Sequence, residues 1–435
     1  GWLIRLAVAV CVLGLSLHSW TAGSRSLAQE PERHLDVVLV IDNSQSMAYN
    51  DGADLRWSAA QLFVDLATPG DRIGALRFSS DVTRLGNAAD GRLTPMGDAE
   101  AASDLKRDLA AQTPAGGTNM NAALRDAEQL LAETPAGNKQ VIVFLTDGKP
   151  EPAAQRPDLA NAIREAGARG ILVFPILLGE DAATYVADQM VHDTGALAQQ
   201  VRDPRELLKA FGSVYAHVQP QRYVNQLEVR PRTTIEFRTN PDQAVTGVSV
   251  VIPRRQREDN AVRALTVDGQ DAWGRGQLQN GAEVNTAEAT HYQMARAMHN
   301  APLAGAWQIR LGEPEGTGLL IVQSEVVLDL VYPVPSRSGS FVAPRVVPAA
   351  KEVLLVGTVD RAGSLLADAE VLAASQGRTL RLDSVGLSSN QTLYWGFLDL
   401  GSREAGNAVI VELQVGEELT PFRLRKQFVV EPAEA

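Results

Sequence analysis

The hydrophobic positions of this chain change their period once, near Gln219. Before that point, short apolar runs alternate with stretches whose apolar residues recur every three or four positions. Leu35 to Ile41 is the first run, and from Val37 onward it has no polar face. Such a run suits a central strand covered on both sides. Leu55, Ala59, Leu62, Phe63 and Leu66 then fall at helical spacing over Asp54 to Ala67, and Pro69-Gly70 stops that helix. Arg72 to Phe78 reads as a strand, with Val82 to Leu85 as its short hairpin partner at an edge. Asp98 to Gln112 is helical. Met120, Leu124, Ala127 and Leu131 line the next helix, and Gln140 to Leu145 is a second buried strand. A helix over Asp158 to Ala168 leads to the strand Ile171 to Leu178. Pro175 is awkward there, because it lacks the N–H that a central ladder needs. Asp181 to His192 reads as helix and Ala196 to Val201 as a brief strand. Asp203-Pro204 opens a last helix with Leu207, Leu208, Phe211 and Val214 on one face. This alternation predicts an α/β doubly wound, Rossmann-like open sheet over residues 35–218.

After Gln219 the helical period gives way to short strands separated by turn residues, the pattern of β-sandwiches. Leu227 and Val229, then Ile235 and Phe237, alternate with polar residues. Trp307, Ile309 and Leu311 do likewise, as do Val326, Leu328, Leu330 and Tyr332. Residues 219–333 are expected to form one β-rich unit, with a small helix at His291 to His299. Residues 334–350, rich in Pro, Ser and Val, read as a linker. Residues 351–431 suit a β-sandwich of immunoglobulin-like size without the cysteine pair of antibody domains.

A length of 435 residues fits about two to four domains. With 45% hydrophobic residues the chain is globular. Its net charge of -12 leaves no basic footprint for nucleic acid. The single cysteine is Cys11, so thiolate metal sites, disulfide frameworks and cysteine nucleophiles are excluded from the body of the chain. Leu6 to Leu17, after Arg5, is an apolar core of signal-peptide length, and Ser26-Leu27-Ala28 offers small residues for cleavage. Residues 1–28 are therefore expected to be a signal peptide or a signal anchor. The rest of the chain is then secreted or anchored to the cell envelope. Arginine outnumbers lysine and alanine is abundant, as in proteins of GC-rich bacterial genomes.

The chemistry gathers at the ends of two predicted strands. Asp42, Ser44 and Ser46 follow the first in a D-x-S-x-S pattern, and Asp147 follows the fourth. In the strand order 3-2-1-4-5-6 these strands are neighbours at the switch point, where open α/β sheets bind ligands. Between them, Gly116-Gly117-Thr118-Asn119 puts a hydroxyl in a glycine-rich loop ahead of a helix. All of these side chains carry hard oxygens, which suit Mg²⁺ or Mn²⁺; Ca²⁺ takes the same donors.

Taken together, these stretches resemble the von Willebrand factor A (VWA, integrin I-like) family over Leu35 to about Val218. The resemblance implies a metal-ion-dependent adhesion site made of Asp42, Ser44, Ser46, Thr118 and Asp147. Ser44, Ser46 and Thr118 can supply neutral hydroxyl oxygens directly, and Asp42 and Asp147 can coordinate the ion or hold its waters. The resemblance implies an outward position taken by an Asp or Glu of a protein partner. A VWA domain followed by β-sandwiches is also similar in architecture to chloride-channel-accessory-type proteins and many bacterial surface proteins.

An accessory subunit of an envelope channel or transporter is thus a second reading. A third makes the VWA domain a scaffold whose metal only stabilises loops, leaving binding to the β-domains. A metal-dependent hydrolase is a fourth, since an ion with an open position can activate water. The chain has neither an H-E-x-x-H nor a G-x-S-x-G motif, and His34, His192, His217, His291 and His299 are scattered, so no enzyme is expected. Asp81, Asp90, Asp268 and Asp271 read as turn carboxylates, and Trp307 and Trp395 as core anchors. Asn390-Gln391-Thr392 fits a glycosylation acceptor only by pattern.

Overall fold

The computed structural model describes residues 34–332, apart from positions 111, 135–136, 152, 181–183, 220, 240–243 and 275. Beyond these it describes the segments 352–361, 371–375, 378–386, 391–399, 409–415 and 424–430. The expected leader 1–28, the expected linker 334–350 and Asn390 lie outside the described residues.

Strand β1 (Leu35–Asp42) is buried along its whole length. It pairs in parallel with β2 (Arg72–Phe78) on one side and β4 (Lys139–Thr146) on the other. β3 (Val82–Leu85) lies antiparallel on β2 at the edge. β5 (Leu172–Leu178) and β6 (Gln199–Val201) extend the other side, so the order is β3-β2-β1-β4-β5-β6. The two-residue strand Thr94–Pro95 also pairs with β2. Pro175 sits opposite Phe144 of β4, whereas β6 pairs with β5 only from Ile176 onward. Its missing N–H therefore falls where the short outer strand does not reach.

The helices are α1 (Met47–Asn50), α2 (Leu55–Leu66), α3 (Ala99–Asp108), α4 (Met120–Ala132), α5 (Arg156–Ala168), α6 (Thr184–Thr194) and α7 (Leu207–Val218). Alternate residues of β1 serve opposite layers, as a period of two requires. Val37, Leu39 and Ile41 pack with Leu62, Phe63 and Leu66 of α2 and with Phe211 and Val214 of α7. Val38 and Val40 pack with Leu124, Ala127 and Leu131 of α4 and with Leu159 and Ile163 of α5. Two apolar layers thus hold the strand ends, and the loops that leave them, in fixed relation.

A five-stranded antiparallel sheet follows, in the order Glu283–Ala289, Tyr292–Met298, Val245–Pro253, Thr317–Ser324, Arg222–Glu228. Val262–Val267, Gly305–Leu311 and Thr234–Thr239 belong to a facing four-stranded sheet, where Trp307 stacks on Phe237 at 5.6 Å. The outer face of the five-stranded sheet is not left to solvent. Val251, Tyr292, Met294, Leu319 and Ile321 join the cluster of α2 and α7, so the α/β unit is docked on that face. At Gly212 of α7 a β-carbon would lie 2.7 Å from Leu319 Cδ1, which shows how closely helix and sheet approach.

Two expectations need correction. His291 to His299 is not helical: Tyr292–Met298 is a strand paired on both sides. Its Met and Ala residues favour helix locally, but ladder bonds to two neighbours override that preference. Val326–Tyr332, expected to close the first β-rich unit, instead pairs with Glu352–Arg361 in one of two further four-stranded sheets. Only Glu325 separates it from Thr317–Ser324. The crossing is pinned by Tyr223, whose hydroxyl donates to the Val326 carbonyl at 2.5 Å and accepts from the Leu328 N–H at 3.3 Å. One buried apolar cluster continues through this crossing to Val371, Ala373, Leu382, Tyr394 and Leu398.

Candidate metal centre

Asp42 closes β1 and is fully buried. Its Oδ1 accepts the Ser44 N–H at 2.8 Å, and its Oδ2 accepts the Thr146 hydroxyl at 2.6 Å. The second contact follows from register. Ile41 is opposite Leu145 in the parallel ladder, so the residues one step on, Asp42 and Thr146, meet side by side. Ser44 Oγ lies 3.1 Å from Ser46 Oγ, and Ser46 Oγ donates to Asp147 Oδ1 at 2.8 Å. Asn50, at the end of α1, donates to Asp147 Oδ2 at 2.9 Å. Both oxygens of each carboxylate are thus engaged by protein donors.

Thr118 is brought in by backbone bonds between loops. Ala115 N–H donates to the Asn43 carbonyl at 3.0 Å, and Gln45 N–H to the Gly116 carbonyl at 3.1 Å. Asn119 N–H donates to the Ser79 carbonyl at 2.8 Å, and Glu151 N–H to the Thr118 carbonyl at 2.9 Å. Gln155 also donates to that carbonyl, at 3.1 Å, and accepts from the Asn121 N–H at 2.9 Å. Gly116 has φ +81°, and a β-carbon there would lie 2.9 Å from Ser80 Oγ, so the turn requires glycine. At Gly148 a β-carbon would lie 3.3 Å from Thr118 Oγ1, so the glycine after Asp147 leaves room for the threonine hydroxyl. The Asn119 side chain accepts from Ala122 N–H and caps α4, anchoring the loop's far end.

All five residues singled out from the sequence therefore sit on three interlocked loops at the carboxyl ends of β1 and β4. Thr146, Asn50 and Gln155 were not singled out. Thr146 is placed by the pairing register of β1 and β4, which the sequence does not state, and nothing in the local pattern marks the other two. The remaining candidates lie elsewhere. Asp268, in a turn, accepts from the Ala306 N–H, and Asp271, at the end of the two-residue strand Gln270–Asp271, accepts from the Trp273 N–H. Asp90 is an exposed partner of Arg92. His34 faces Asp71, His192 bonds Asp193, His217 packs edge-on to Phe174, and His299 bonds the Ala301 backbone.

Electrostatics at the site are adverse for two bare carboxylates. Burial, and then the charge of Asp147, push the Asp42 carboxyl up to about 6, against hydrogen bonds from Ser44 and Thr146 that pull it down. A cation between them would reverse the second cause. Among the described residues no group of three or more His, Cys, Asp and Glu could hold a metal. An ion here must use hydroxyl oxygens, and the donor set of Ser44, Ser46, Thr118, Asp42 and Asp147 fits a hard divalent cation.

Residues 36–211 match the family described as von Willebrand factor type A domain. The chain carries a VWA domain. Human inter-alpha-trypsin inhibitor heavy chain H4 is 28% identical over 282 residues, covering 61% of this chain and 29% of that protein. A UPF0353 protein of Mycolicibacterium vanbaalenii is 32% identical over 182 residues, covering 39% of this chain and 52% of the relative. The chain thus spans about half or less of these curated relatives. A solved von Willebrand factor type A protein from Catenulispora acidiphila aligns with a TM-score of 0.40 at 16% identity, covering 84% of this chain and 66% of that one.

Proposed function

We propose that this is an extracytoplasmic binding protein, for adhesion or complex assembly, whose VWA domain holds one Mg²⁺ or Mn²⁺ to capture an acidic residue of a partner protein. The observation that carries the reading is the closure of both carboxylates by protein donors. With Asp42 held by Ser44 N–H and Thr146, and Asp147 by Ser46 and Asn50, the hydroxyl lone pairs of Ser44, Ser46 and Thr118 are the natural direct ligands. Asp42 and Asp147 then serve the metal's waters. Neutral direct ligands leave the ion electron-poor, so a carboxylate from outside completes its shell favourably.

The apolar segment Leu6 to Leu17 supports export. Among the described residues no helix is long and apolar enough to cross a membrane. The test is calorimetric titration of Mg²⁺ and Mn²⁺ into the full chain, followed by pull-down from an envelope fraction. One ion per chain is expected, and partner capture is expected to vanish in EDTA and return with Mn²⁺. Capture that persists unchanged in EDTA would sink the reading.

A further inference from the structure

Behind the metal loop lies a buried cation that the site's own chemistry does not use. Arg56, the second residue of α2, is fully buried. Its Nη1 contacts Asp51 Oδ2 at 2.8 Å and Asp54 Oδ1 at 2.9 Å. Its Nη2 donates to Asn43 Oδ1 at 2.9 Å. Its Nε is buried without a hydrogen-bond partner. Asp51 also accepts the Leu55 and Arg56 N–H groups, so it caps α2 while pairing with the guanidinium. Asp54 takes a left-handed conformation, φ 58°, beside it. Burying a guanidinium is costly, and apolar residues often stabilise such a place as well or better. A charge retained there, one N–H short of full satisfaction, calls for a use beyond stability.

That use is visible at Asn43, which stands between Asp42 and Ser44. Asn43 donates from its backbone to the Phe78 carbonyl at 2.7 Å and accepts from Ala115 N–H at 3.0 Å. Its side chain donates to the Thr113 carbonyl at 3.1 Å while accepting from Arg56. It therefore joins the end of β2, the loop that carries Thr118 and the start of α2. We infer that Arg56 is a positioning residue for the metal site, holding the Asp42–Ser46 loop and the Thr118 loop in register through the Asn43 side chain. It acts through geometry: the charge that shifts Asp42 is that of Asp147. Lysine cannot reproduce the role, since a point ammonium lacks the planar fork that spans Asp51 and Asn43.

This inference rests on the metal-binding reading, and one experiment separates the two. Mn²⁺ is titrated calorimetrically into the full chain, wild type beside Asn43→Ala, Arg56→Lys and Arg56→Met, at a temperature well below each variant's melting point. Melting temperatures are recorded without metal. Asn43→Ala keeps the Arg56–Asp51 pair, so it is expected to fold even if Arg56→Met does not. Arg56→Lys and Asn43→Ala are expected to weaken Mn²⁺ binding by about 10-fold or more, the range for groups that orient metal ligands from behind. Wild-type affinity in both variants, whatever their melting temperatures, would overturn the positioning role and leave the metal site standing. A wild type that takes up no Mn²⁺ would overturn both.

Discussion

Asp42→Asn is expected to stabilise the metal-free protein at neutral pH while abolishing its metal binding. The buried Asp42 carboxyl is raised from 3.8 to about 6. A carboxyl raised on folding is a liability above its unfolded value and neutral below it. Below about pH 4 the side chain is protonated in both states and contributes nothing. As pH rises through 6 the folded state must ionise a buried group beside Asp147, at a cost of about 3 kcal/mol for a shift of this size. Asparagine removes that cost. Its amide carbonyl still accepts from Ser44 N–H, but its NH₂ meets the Thr146 hydroxyl, which must turn to accept; that loses about 1 kcal/mol. The net expectation in urea denaturation at pH 7.5 is a gain of about 2 kcal/mol, fading towards pH 4. Saturating Mn²⁺ should reverse the ranking, since a ligand at about 100 times its Kd stabilises only the chain that binds it, by about 2.7 kcal/mol. By the same linkage, wild-type Mn²⁺ affinity should fall as pH drops through 6, where protons compete for Asp42. A metal-free variant less stable than wild type at pH 7.5 would show that its partners, rather than burial, dominate Asp42.

The candidate site's residues were legible because each stands at a place the fold makes predictable. Asp42 and Asp147 end apolar runs that can only be central strands, and Thr118 follows a glycine pair just before a helix. The groups that hold these donors were not legible. Thr146 meets Asp42 only because β1 and β4 pair in one register, and one sequence does not state that register. Arg56 sits in a stretch that reads as an ordinary amphipathic helix start, and its burial depends on Asp51, Asp54 and Asn43 folding over it. The same limit explains the β-region. Tyr292–Met298 carries good helix formers, and its strand state is imposed from both sides. Val326–Tyr332 has the alternation of any sandwich strand, and nothing in its own residues says which sheet receives it.

The joint between the VWA domain and the five-stranded sheet should be as costly to break as a core contact. Lys106 Nζ of α3 donates to both oxygens of Asp65 on α2, at 2.8 and 2.7 Å, and the Tyr292 hydroxyl from the sheet donates to the same carboxylate. Arg296, further along the same strand, donates to the Ala67 carbonyl at 3.1 Å. Burial raises the Asp65 carboxyl, opposed first by Lys106, so the trio as a whole need not add net stability. Removing one member is a different matter. Asp65→Ala leaves an ammonium that is only 22% exposed without its counter-charge, and a buried tyrosine hydroxyl without its acceptor. The expected loss is about 3 kcal/mol in urea denaturation, at the lower end for a broken buried pair because Lys106 keeps some contact with water. Tyr292→Phe removes donor and hydroxyl together and should cost about 1 kcal/mol. The double variant should then cost clearly less than the sum, because Tyr292 has no hydroxyl left to strand. A loss below about 0.5 kcal/mol for Asp65→Ala would place the trio among surface ion pairs. The apolar contacts of Phe63, Phe211, Tyr215, Leu319 and Ile321 would then be what seats the VWA domain on its sheet.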